Sequence, residues 1–233
     1  MIDSAPQLKS ERPFFLVEYF SALLLLTVAL FFASVFGVGA ILAGKSRFFF
    51  SYWQCLPCFI LLLACGLLPK QAWKATSGAL PIRLLLAAAG LTAFSPFATW
   101  MLRSNGNLYF DLCCVLTLAM ALWTQLEICQ LMQKLAKAGK VPSLAFSALK
   151  TRFLVLCFEI IPVCAVYGSG ILARFIGTNQ TVQDIFRIWH FGKISLLLRF
   201  FLFWGLLQVL ILCLYATWLA AQQLKKLVDV EQQ

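Results

Sequence analysis

Residues 14–44 read FFLVEYFSALLLLTVALFFASVFGVGAILAG, and Glu18 carries the only charge in the run. At 1.5 Å per residue, about 20 apolar residues in a helix cross the roughly 30 Å hydrocarbon core of a bilayer. Lipid offers no partners to backbone N–H and C=O groups, so the stretch is expected to be helical. It is too long for the apolar region of a signal peptide, and it follows a polar tail with Lys9 and Arg12. We therefore expect an uncleaved span that tilts or extends beyond the bilayer.

Five more apolar runs follow, each cut at basic residues. Residues 48–68 end at Pro69 and Lys70, and residues 82–102 lie around Arg83 and Arg103. Residues 108–132 lead to Lys134, and residues 153–173 lie between Arg152 and Arg174. Residues 195–221 precede Lys225 and Lys226. The runs are continuous rather than alternating, which does not suit a β-barrel. The expected fold is all-α: a polytopic membrane protein with one bundle of about six transmembrane helices over 14–222. Residues 1–13 and 223–233 are the expected tails.

Composition agrees. The 233 residues are 62% hydrophobic and 12% charged, with a mean hydropathy of +0.88. Soluble domains carry about 25% charged residues, so too few polar groups remain here for a sizeable soluble domain. The net charge of +10 lies mostly at the ends of apolar runs, where Lys and Arg meet lipid headgroups. No basic stripe interleaved with aromatics stands outside those runs, so the expected partner is the bilayer and not nucleic acid. With six spans, about twelve Lys and Arg fall on the side of the termini and about seven on the other. Both termini are therefore expected in the cytoplasm.

Two connections have local grammar. Gly139 and Pro142 should stop a fourth helix that continues past the membrane through Gln130, Gln133, Lys134 and Lys137. Thr181 to Asp184 reads as a capping box opening a short interfacial helix before the last span, with Gly192 as a hinge.

Three carboxylates, Glu18, Glu127 and Glu159, lie within one to three turns of the expected cytoplasmic boundary. Ionised carboxylates in hydrocarbon are costly and tend to face a bundle interior or a wet cavity. Three at similar depth could converge on a proton, a cation or a basic helix. Glu127 stands out because Thr124, Gln130 and Lys134 share its helical face by i+3 and i+4 spacing. Glu159 is deeper, two turns after Arg152 and three residues before Pro162. Pro96 and Pro162 each remove a backbone donor and are expected to kink their helices.

Cys55-Leu-Pro-Cys58 has the spacing of a thiol–disulfide pair at the head of a span. Its placement resembles the quinone-linked thiol oxidases of the DsbB type. That resemblance implies a second cysteine pair in a later outer loop, for which only the adjacent Cys113 and Cys114 are available. It covers four residues, and the pair is expected to be functionally silent. Tyr167-Gly168-Ser169-Gly170 with the lone His190 departs from the serine motif of rhomboid proteases. No catalytic residue, metal ligand set or cofactor is expected.

Ala33, Gly37, Ala40 and Gly44 form a small-residue stripe on one helix face. It suits close helix packing within the chain, with a copy or with a protein partner. The expected function is a small transporter or channel component, or a membrane subunit of a larger complex. The alternatives are a thiol oxidoreductase using Cys55 and Cys58, and a membrane sensor or anchoring module.

Overall fold

A computed structural model describes residues 15–42, 55–68, 79–101, 108–164 and 193–231. The described chain is all-helical, with no strand among those residues. A 3-10 turn, Phe15–Tyr19, leads into α1 (Phe20–Leu42). α2 is Cys55–Gly66, α3 is Ala79–Met101 and α4 is Leu108–Ala138. α5 is Pro142–Val155, continued by a π-helical turn at Leu156–Ile160 and regular helix over 161–164. α6 is Lys193–Glu231.

Among the described residues, four helical stretches are long and apolar enough to cross a membrane: Leu16–Val35, Ala79–Phe97, Val115–Ala138 and Phe200–Asp229. The outer surface suits lipid, since Phe31, Leu86, Phe153, Ile161 and Trp218 are all more than half exposed. The helices pack in chain order, and α6 closes on both α1 and α5. One continuous core joins Leu26, Leu61, Leu84, Ile128, Leu144 and Val209 from all six.

The turn expected at Gly139 and Pro142 is present. Gly139 N–H donates to Leu135 O at 2.8 Å, and Val141 N–H donates to Ala136 O at 2.8 Å. Lys140 takes the left-handed conformation between them, with φ of 53°. Pro142 opens α5, where its missing N–H costs nothing. The chain is therefore already helical ten residues before Phe153, the expected start of the fifth span. The interfacial helix at 181–192 and the pair Ser169 and His190 lie outside the described residues.

Hydroxyls secure the spans. Thr27, Ser34, Thr117, Thr124 and Thr217 each donate to the carbonyl four residues back on their own helix. Thr27 and Thr217 also meet across α1 and α6 at 3.0 Å, a hydrogen bond formed when one of the two hydroxyls turns its single proton from its own helix carbonyl to the other. Pro96 lies inside α3 and offers no N–H to Thr92 O, but Ser95 Oγ donates to that carbonyl at 3.0 Å. On α3, Ala87 and Ala88 are buried, and a Cβ added at Gly90 would stand 3.1 Å from Met120 Sδ. Small residues here bring α3 and α4 close together. Of the stripe on α1, Ala33 is half-buried, while the side-chain positions at Gly37 and Ala40, and Gly44 altogether, lie outside the description.

Candidate functional site

α4 carries polar side chains on two faces. Trp123, Glu127 and Gln130 recur at i, i+4 and i+7 and share one face. Gln125 and Cys129, also four apart, lie about 200° around the helix from Glu127.

The first face meets α3. Glu127 is 4% exposed, and its Oε1 accepts from Trp123 Nε1–H at 3.0 Å. The same oxygen lies 3.3 Å from Arg83 Nε in an ion pair. Arg83 Nη2 donates to Gln130 Oε1 at 3.4 Å, a weak bond that still orients the guanidinium. The Arg83 side chain is 46% exposed, so the pair sits at the bundle's edge rather than its centre. Glu127 Oε2 is buried without a hydrogen-bond partner among the described residues. Thr124 is buried but turned to Met120 O, so it does not join the carboxylate.

The second face meets α5 and α6. Glu159 is 0% exposed, and neither of its oxygens has a hydrogen-bond partner among the described residues. It stands in the π-helical turn, where Ile161 N–H reaches back five residues to Leu156 O. Pro162 accounts for that turn. In a regular helix its ring would press on Phe158 O four residues back, and one wider turn relieves the clash. The carboxylate rests directly against α6 at Gly205, where an added Cβ would collide with it. The Gln125 side chain and the Leu206 backbone face Glu159. Gln125 is buried, and its Oε1 also has no partner among the described residues. Cys129 lies within electrostatic reach of Arg152, Glu159 and Cys213. Arg152 Nε is a third buried polar group without a hydrogen-bond partner there.

The carboxylates do not converge. Glu18 lies in the first 3-10 turn beside Tyr19, against α6. Among the described residues, no group of three or more His, Cys, Asp or Glu is placed to hold a metal ion. Cys55 and Cys58 occupy the first turn of α2, both half-buried and not joined in a disulfide. Thr92 Oγ1 lies 3.1 Å from Cys58 O, which ties that turn to α3. Cys113 is a buried free thiol at the head of α4, and the Cys114 side chain lies outside the description.

Sequence reasoning missed Arg83 as the partner of Glu127, and it missed Gln125 and Gly205 altogether. One signal was available: Gly205 is the lone glycine in the 39 residues of α6, inside an otherwise bulky apolar run. Compared with known protein families, curated proteins and solved structures, the chain matches none of them.

Proposed function

We propose that this chain is a six-span membrane protein with both termini in the cytoplasm, acting as a small transporter or channel component whose ion-handling group is Glu159. One observation carries the reading: a carboxyl group is fully buried with both oxygens unpartnered among the described residues. An ionised group held that way costs several kcal/mol, of order 3 or more, so it is retained for something other than stability. The π-helical turn adds support, since such turns are frequent at functional sites. Glu159 replaces Glu127 as the centre of the site, because Glu127 already has a counter-ion in Arg83.

The test is flux in proteoliposomes of the full chain. One set carries a pH-reporting dye under a potassium diffusion potential, and a parallel set carries a sodium gradient. The wild type should move one of these ions well above protein-free vesicles, and Glu159→Gln should return it to that baseline. Equal flux in wild type and protein-free vesicles ends the transport reading and leaves a membrane subunit of a larger complex. Reporter fusions at Gly106 and Ala138 test the topology, with opposite sides expected.

A further inference from the structure

Resting on the ion-handling reading, we infer that the ion at Glu159 is a proton, shared with Gln125 across the α4–α5 seam in a space left open by Gly205. Oε1 and Oε2 of Glu159 and Oε1 of Gln125 each lack a hydrogen-bond partner among the described residues, and the Gln125 side chain faces the carboxyl. A proton on the carboxyl makes one of them a donor aimed at Gln125, so a single atom satisfies two buried groups.

A metal cation fits the surroundings poorly. Hard cations take six or more oxygen ligands, and no group of three ionisable ligand side chains assembles among the described residues. A fixed positive charge is also close by, since Arg152 lies on the same helix two turns back and within electrostatic reach of Cys129, as Glu159 does. Facing Glu159 are Gln125 from α4 and Gly205 and Leu206 from α6, with the Cys129 thiol within electrostatic reach of it and the Cys213 thiol within reach of Cys129. No side chain facing it from α4 or α6 carries a fixed charge that would replace the proton.

Gln125 can serve both protonation states. Its amide oxygen accepts from the acid, and after a flip its amide N–H donates to the carboxylate once the proton has left for water. Gly205 is the positioning residue, because any larger side chain displaces the carboxyl from this seam.

Infrared difference spectroscopy of the full-length protein in nanodiscs, between acid and alkaline buffer, tests the assignment without measuring flux. A carboxylic-acid carbonyl band that shifts in heavy water should vanish in Glu159→Gln and persist, displaced, in Glu159→Asp. Gln125→Leu should move it to higher frequency, and Gly205→Ala should move or broaden it. Sodium or magnesium added at constant pH should leave it unchanged. No Glu159-dependent band at any pH, or a band erased by either metal, overturns the proton. A band without flux keeps the proton site and removes transport, whereas flux without the band keeps transport and removes the proton.

Discussion

The two faces of α4 hold the same problem solved in two ways. Glu127 and Glu159 are both buried carboxylates, and they meet this helix within about one turn of the same level. Glu127 borrows a guanidinium from α3 and an indole N–H from its own helix. Glu159 rests against a glycine and faces an amide and a backbone group, with no ion pair among the described residues. A carboxylate whose counter-ion reaches the protein surface, as Arg83 does, keeps a charged partner without burying both ions. One whose oxygens are left unpartnered costs stability.

The contrast breaks hardest at Gly205. Gly205→Leu drives a branched side chain into the volume of the Glu159 carboxyl and should destabilise the protein by about 3 kcal/mol or more. Thermal unfolding in mild detergent measures this. Gly205→Ala combined with Glu159→Ala should recover much of the loss from Gly205→Ala alone, and no recovery would mean the two residues are not in contact.

On the other face, Arg83→Met removes the counter-ion and leaves buried Glu127 with only the Trp123 N–H. Because nearly half of Arg83 is exposed, the cost should stay near about 1–2 kcal/mol. Adding Glu127→Gln should restore most of it. A cycle in which the two losses simply add would dissolve the pair.

The sign should reverse at the seam. Glu159→Met with Gln125→Leu replaces both buried polar side chains of the seam by apolar ones and should raise stability by about 1 kcal/mol. A marked loss instead would give Glu159 a stabilising partner and make the two faces alike. The smallest effect belongs to the hydroxyl link between α1 and α6. Thr27→Val should cost about 0.6 kcal/mol, in line with interhelical hydrogen bonds in membranes.

The apolar runs were legible because lipid imposes length and hydropathy on every span, and the stop at Gly139 and Pro142 because backbone chemistry is local. Glu127 drew attention for the polar residues along its own helix. Those neighbours register how accessible a face is, and the structure places Gln130 with the exposed Arg83. Glu159 has no polar companions along its own turn except Arg152 two turns away. Its significance comes from Gln125 and Gly205, which lie 34 and 46 positions away in the chain. Periodicity within one helix cannot supply such pairings. The π-helical turn was hidden for a related reason: Pro162 signals a perturbation but not whether the chain kinks or widens.

The order in which the helices pack bears on how the protein is made. Each of the first five helices leans on its neighbour in sequence, so each can dock soon after it is synthesised. α6 differs, because it returns to α1 across nearly the whole chain and brings Gly205 to a carboxyl group waiting on α5. Until that helix arrives, Glu159 lacks one wall and remains open to lipid or water. The seam around the acid is thus completed only when the last described helix is seated.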